Sequence, residues 1–514
     1  MDKDLEKSLS SSAEGQKTVN DETPDPDLLK RDQWLNHLES ITGIESRGIE
    51  RVPPDERYEG SFVQMLLLWL SANLTANNTL IGVLGPVAYG LGFTDAALCA
   101  VFGGLLGCVG VAYVGTWGPR NRREIFHGLL SQPDLLPAQH GHHAGLRHDR
   151  LRHRRPDPLF VSDGRMTVIV GIIVVAIVSW LVATFGMRVF QTYERYSWLP
   201  QAIVLAVMAG TAGPKFDVNS QSIGSAETIN ANRLSFFSLA ISCAIAWAPA
   251  GADYYVYYPA NSPRWKIFLM SFVGLGLAIA VTLLLGVGVG SAIQSVPEWQ
   301  DAYNNTPGNL LEATYLPVNS FGKFCAVVAA LGVIANNIPG TYSAALAFQI
   351  LGRYGLLVPR SIWTIVCVII YTACALGGRN YLFDIFENFL PLMGYWIVIW
   401  LTIMLEEDLI FRRGKPYDWE VWHDRKKLPL GIAAFTAFVI GWVGAIIGMV
   451  SSDSPANMEY QLTVTISVQS QVYYIGPIAR AIAGGCDLGI YLGIGFTFFA
   501  YPPLRVLELW KIGR

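Results

Sequence analysis

The sequence predicts an all-α polytopic membrane protein with the architecture of an inverted-repeat transporter, on three observations. Of its 514 residues, 52% are hydrophobic and 15% are charged, against about 25% charged in soluble domains. Eleven apolar stretches are long enough to cross a hydrocarbon core, which is roughly 30 Å thick. Two of these, each opening a group of five, are interrupted at mid-length by proline, glycine and polar residues. That is the pattern of paired repeats sharing a site at the bilayer midplane.

In chain order, residues 1–59 are polar and rich in Asp, Glu, Lys and Ser, with no signal peptide. They predict a largely disordered cytosolic tail. Its last part, GIERVPPDERY at 48–58, is dense in proline and charge and abuts the first span. A transporter domain is expected over 60–505, and a cytosolic end over 506–514.

The first span, at 66–90, reads LLLWLSANLTANNTLIGVLGPVAYG. Ser71, Asn73, Thr75, Asn77, Asn78 and Thr79 crowd its centre, with Gly82, Gly85 and Pro86 behind them. The stretch 234–258 carries Trp247-Ala248-Pro249-Ala250-Gly251-Ala252-Asp253. Proline removes a ladder hydrogen bond, and in lipid the freed backbone groups are tolerated only beside protein or a wet cavity. Both stretches therefore predict helices broken next to a cavity. A pair of Pro-kinked packing helices is the plainer alternative.

The other spans fall near 94–115, 166–186, 197–213, 266–293, 321–350, 361–378, 385–405, 429–450 and 473–500. Loop charge orients them, because short cytoplasmic loops hold the Lys and Arg. Segments with Arg505, Lys511 and Arg514, with Arg412, Arg413 and Lys415, with Arg353 and Arg360, and with Arg264 and Lys266 fall on the cytosolic side. The loops 294–320 and 451–472 hold no Lys or Arg and read as external. By the same rule 187–196 (Arg188, Arg195) and Arg120-Asn121-Arg122-Arg123 are both cytosolic. The single span at 166–186 cannot join them, so parity predicts a twelfth crossing within 124–165.

That interval carries no such span. Residues 125–158 hold six of the eight histidines, and their cations are all arginine. A central Arg costs about 2.5–3.5 kcal/mol on insertion scales, which bars this text from a bilayer. A shifted reading frame over the missing span accounts for the composition best. A His-rich zinc or nickel loop finds no Cys in this segment to complete it, and a plain cytosolic loop contradicts the parity. The polar insert at 450–469 reads either as an external loop or as a retained in-frame intron. The seven cysteines lie in or beside apolar spans without metal-ligand spacing, as buried hydrophobes rather than a disulfide framework.

Four places put polar groups where a helix bundle in lipid would not ask for them. Trp247 offers a flat apolar face and an indole N–H, although packing is the commoner fate of a membrane tryptophan. Asp253 offers a charge, or caps a second half-helix. Asn336 and Asn337, followed by Pro339 and Gly340, place adjacent amides at mid-depth. An amide donates and accepts in one plane and so matches the edge of an adenine- or cytosine-like ring, or else glues two helices. Ser71 and its neighbours have a cavity face in reach, and Glu387 and Asn388 suit a gate, a proton-exchanging group or a solvated helix start.

With these residues in hand, the chain resembles the fungal purine–cytosine permeases of the nucleobase–cation symporter-1 family. The matching text is GIERVPPDER, LWLSANLTANNTLIGVLGP, GPKFDVNS with GSAETINANRLSFFSL, AWAPAGADYYVYYP, IANNIPGTYSAALAFQ and GPIARAIAGGCDLG with YPPLRVLELWKIGR. It covers 46–119 and 161–514. The resemblance implies a five-plus-five inverted-repeat transporter fold with two appended helices, twelve spans where eleven are visible, and cytosolic termini. It implies a carrier rather than an enzyme, importing cytosine, adenine, guanine and hypoxanthine across the plasma membrane. The implied coupling ion is a proton, with no other cofactor, no metal and no nucleic-acid partner.

By the same resemblance the base site comprises Trp247, Asn336, Asn337 and Ser71; Asp253, Glu387 and Asn388 are candidates for the proton or the gate from their charge, polarity and place in the chain alone. The third span, which supplies a Trp and an Asn in the family, has no counterpart at 120–160. The alternatives are a same-fold carrier of another heterocycle such as pyridoxine, or a non-transporting membrane protein if that span is truly lost.

Overall fold

The structure is a computed structural model that describes residues 48, 52, 57, 61–121, 168–350, 355, 357–378, 382–413, 429–451, 474–482 and 485–513. Nearly all of the 120–160 segment, of the tail and of the 450–469 insert lies outside these residues.

The helices are α1 (Phe62–Asn73), α2 (Ala76–Val87), α3 (Phe93–Gly115), α4 (Val168–Phe185), α5 (Met187–Ala212), α6 (Ala226–Ile245) and α7 (Arg264–Ala292). They continue as α8 (Pro297–Asn305), α9 (Pro307–Tyr315), α10 (Asn319–Gln349), α11 (Arg360–Gly378), α12 (Leu382–Glu406), α13 (Ile432–Gly448) and α14 (Gly489–Ile512). Among the described residues seven helices are long and apolar enough to cross a membrane, with shorter apolar helices beside them.

The bundle has three packed groups. Helices α1, α2, α3, α6 and α7 form one, and α4, α10 and α11 a second. The third is α12, α13 and α14. Helix α5 joins the first group to the second through α1 and α10, and α12 joins the first to the third through α6.

Glycine makes the first group tight, as expected where no hydrophobic drive separates helix from lipid. A methyl at Gly82 would overlap the Leu283 carbonyl, and one at Gly286 the Thr79 carbonyl, so α2 and α7 cross backbone to backbone. Gly103 and Gly107 bring α3 onto α6 in the same way. The opposite face of α3 exposes Leu98, Phe102, Leu106 and Val109, an apolar stripe suited to lipid.

Several boundaries differ from the sequence expectation. Residues 187–196, read as a charged loop, are the first turns of α5: Gly186 alone turns the chain there, at φ +87°. The span expected at 473–500 begins instead at Gly489 and runs to Ile512. Pro477 and Gly485, at φ +135°, interrupt the apolar run, leaving a short strand and a single turn. Helix α6 starts at Ala226, where Ser225 caps the Thr228 N–H. The 294–320 segment, expected as an external loop, folds into α8 and α9, each with proline in its first turn.

Three buried polar clusters fasten the ends. Arg360, 1% exposed, donates to the last carbonyls of α4 (Ala183 at 3.0 Å and Thr184 at 3.3 Å) and lies 4.7 Å from the Tyr342 ring. Arg57, from the proline- and charge-rich text, donates to the Pro119 and Tyr258 carbonyls. After α12, Glu407 accepts from Tyr501, Arg505 and Arg412, and Asp408 from Tyr113 and Trp117.

Candidate functional site

The first span is broken where its sequence is most polar. Helix α1 ends at Asn73, Leu74 leaves the helical region at ψ 67°, and Thr75 is extended at φ −128°, ψ 153° before α2 starts. Short polar side chains compete for backbone hydrogen bonds and so favour such a stop. The carbonyls released there are satisfied by amides. Asn78 Nδ2 donates to the Asn73 carbonyl at 2.8 Å, and Asn336 Nδ2, from α10, donates to the Ala72 carbonyl at 2.8 Å. Two oxygens of the break, Asn73 Oδ1 and Thr75 Oγ1, are buried without a hydrogen bond among the described residues.

The sixth span of the expected plan breaks as its Pro-Ala-Gly text predicts. Helix α6 stops at Ile245 and is followed by single 3-10 turns at Ala248–Ala250 and Asp253–Tyr255. A regular second half-helix does not form. Asp253, expected as its cap, instead opens the second 3-10 turn, behind Ala252 at the N-cap position. Pro249 and Gly251 are the reason: one lacks a donor, and the other holds no helix without packing.

The two breaks meet on α1. Trp247 is half-buried and stands edge-on to Trp69, with centroids 6.1 Å apart and planes at 86°. Trp69 is fully buried, packs edge-on to Tyr254 at 5.4 Å and donates to the Tyr255 hydroxyl at 3.2 Å. The Tyr255 hydroxyl in turn pairs with Ser271 of α7. Trp69 and Ala72, three apart on α1, share a face, so Trp247 and Asn336 dock on the same turn.

Asn336 therefore serves as interhelical glue through its Nδ2, while its Oδ1 takes no hydrogen bond among the described residues. Asn337 is half-buried, and no hydrogen bond of its side chain is formed among them either. Its backbone carbonyl accepts from Thr341 at 2.7 Å.

Ser71 is fully buried, and its hydroxyl lies 2.5 Å from that of Ser197 on α5, which places it at the α1–α5 contact. The Ser71 and Ser197 hydroxyls face Glu194, one turn earlier on α5. Glu194 is 0% exposed, and neither carboxyl oxygen closes a hydrogen bond among the described residues. Sequence reasoning missed this residue because Arg188 and Arg195 made the segment read as a loop. Arg195 is in fact turned to Gln64 of α1, at 2.7 Å. Asn388 is half-buried in the first turns of α12, and Glu387 precedes it there, its side chain outside the description.

An all-α bundle whose two broken helices face each other across one buried, polar-lined turn is the frame of a membrane carrier. Residues 51–122 match the family described as "Permease for cytosine/purines, uracil, thiamine, allantoin". The purine-cytosine permease fcyB of Emericella nidulans is 34% identical, over 93% of this chain and 92% of its own. The vitamin B6 transporter TPN1 of Saccharomyces cerevisiae is 29% identical, over 95% and 91%. Among solved structures, Mhp1, a nucleobase-cation-symport-1 family transporter, superposes in its closed, bromovinylhydantoin-bound form with a TM-score of 0.59 at 13% identity. That alignment covers 91% of this chain and 96% of Mhp1.

The chain belongs to the nucleobase–cation symporter-1 family, on its purine–cytosine permease branch. It has that family's inverted-repeat fold, and it is a transporter rather than an enzyme.

Proposed function

We propose that this permease imports cytosine and purine bases across the plasma membrane by proton symport. The observation that carries the reading is the meeting of both helix breaks on one turn of α1, with Trp247 on one side and the Asn336–Asn337 pair on the other. The base stacks on the Trp247 face, and the Asn337 amide together with Asn336 Oδ1 reads its edge. A planar amide paired with a planar heterocycle loses affinity when either partner group is removed.

Glu194 carries the proton in this reading. It is sealed from solvent, is one turn from Ser197, and faces Ser71 beside the first break. Among the described residues no Lys or Arg pairs with it. A carboxyl so placed cannot hold its charge cheaply, so taking up a proton is coupled to closing the site around it. Base and proton bind on one side, the two breaks let the first group rock against the second, and both are released on the other side.

Vitamin B6 is the second reading. The match to the yeast vitamin B6 transporter is as extensive as the match to the purine-cytosine permease, and pyridoxine is also a flat heterocycle. Uptake of labelled cytosine, competed by unlabelled adenine, hypoxanthine and pyridoxine, separates the two. The nucleobase reading expects competition by the bases alone; inhibition by pyridoxine with none by purines would replace it.

A further inference from the structure

The segment between α13 and α14 contains GGCDLG, matched text that the proposed base site does not use. Its aspartate, Asp487, is 5% exposed and sits at a junction of three helices. Asp487 Oδ1 accepts from the Tyr395 hydroxyl of α12 at 2.8 Å and from the Gly489 N–H at 2.9 Å. Its own N–H donates to Ser235 Oγ of α6 at 2.9 Å, and its carbonyl accepts from Ser238 Oγ at 3.5 Å. The neighbouring Cys486 thiol donates to the Ala231 carbonyl of α6. Leu488 N–H is bonded to the Gly448 carbonyl, which fixes the segment to the end of α13.

The packing around it leaves no slack. Ser235, Ser238 and Ser242 form one face of α6, at i, i+3 and i+7. A methyl at Gly394 of α12 would overlap Ser242, and a methyl at Gly489 would strike the Tyr395 ring. Tyr395 stands four residues past Pro391, which removes a ladder bond from α12. Before this point Ile385 and Phe389 are exposed; after it Tyr395, Ile397, Ile399 and Ile403 are all buried. The Asp487–Tyr395 bond thus clamps α12 immediately beyond its proline, and through Ser235 ties it to α6, the helix that leads into the Trp247 break.

We propose that Asp487 is a positioning residue of the transport cycle. From the start of α14 it holds α6 and α12 in a fixed relation, and so keeps the base site ready to capture substrate. The appended pair α13–α14 then acts as a post on which the first and third groups are indexed. If the ready arrangement is held by a smaller fraction of molecules, apparent affinity falls by that fraction while later steps are unchanged.

The test rests on the nucleobase reading for its probe alone. Labelled cytosine uptake is measured in cells for wild type, Asp487→Ala, Asp487→Asn and Tyr395→Phe, with surface protein quantified. Loss of one hydrogen bond to a charged group corresponds to roughly a tenfold rise in KM. That rise is expected for Asp487→Ala and Tyr395→Phe at unchanged maximal rate per molecule. Asp487→Asn, whose Oδ1 still accepts from Tyr395, is expected to match wild type.

A second readout needs no substrate. A Leu390→Cys label site is expected to react several-fold faster with an impermeant maleimide when Asp487→Ala is added, and at its original rate with Asp487→Asn. If Asp487→Ala fails to reach the surface, Tyr395→Phe, which removes a single hydroxyl, carries both readouts. Wild-type KM in Tyr395→Phe, or a fall in protein level alone, with unchanged maleimide rate overturns the proposal. Failure of wild type to take up cytosine overturns the nucleobase reading instead and leaves the labelling result standing.

Discussion

Trp247 and Asn337 act on different parts of a planar ligand, so their losses should differ in kind. Trp247→Ala removes a stacking surface, and Asn337→Ala removes edge recognition; each contribution is about 1 kcal/mol, or roughly a fivefold rise in KM for cytosine. Measured against adenine as well, Trp247→Ala should weaken both bases alike, whereas Asn337→Ala should change their ratio. Glu194→Gln should leave a carrier whose cytosine uptake no longer rises with external acidity, read from paired uptake rates in acidic and neutral medium. Retained acid stimulation in that variant would move the proton elsewhere. Trp247 and the two asparagines were legible in the sequence because proline, glycine and amides stand out in apolar text. Glu194 was not legible: its burial comes from Ser71 and the packing of α1 on α5, while its neighbouring arginines lend the local text the look of a loop. Ser71, expected at the base, lies at the α1–α5 seam, paired with Ser197.

At the scale of elements, the first break depends on amides that replace lost ladder bonds. Asn78→Ala would remove one of the two donors to the Asn73 carbonyl and leave it the Thr75 N–H, at a cost of about 0.5–1.5 kcal/mol, and should lower the thermal midpoint of the purified protein. Gly286→Val tests the backbone contact of α2 with α7. Overpacking there costs about 1–3 kcal/mol or more and should reduce folded yield without any selective effect on KM. The sequence marked both breaks to within a few residues, since Pro and paired polar residues act locally. It misplaced the starts of α5 and α14 because helix ends depend on caps and on what the first turn packs against. Asp253 shows the same limit: a capping residue was legible, but the half-helix it would cap gives way to 3-10 turns around Pro249 and Gly251.

Over the whole molecule, the first group brings the helices of both breaks together with α3 and α7, and the appended α13 and α14 pack on α12. Composition made the bilayer legible; the way the appended pair reaches back to α6 and α12 was not, because Asp487 lies in text that resembles a span. Val450 and Ser451 pair antiparallel with Ile475 and Tyr474, so the chain leaves and rejoins the bundle at one place. Replacing 452–473 with a short turn should therefore keep surface expression and uptake within about twofold, since loop length costs little. The spliced message across codons 110–170 is expected to encode an apolar third span in place of the His/Arg text; a message encoding that text as written would favour a non-transporting chain.

The central claim is a nucleobase site held between the two breaks, and uptake of labelled cytosine by wild type and Trp247→Ala at equal surface density tests it most directly. The account predicts saturable wild-type uptake, competed by purines, with KM raised severalfold in the variant. Uptake indistinguishable between the two, or wild-type transport of pyridoxine with none of cytosine, would contradict it.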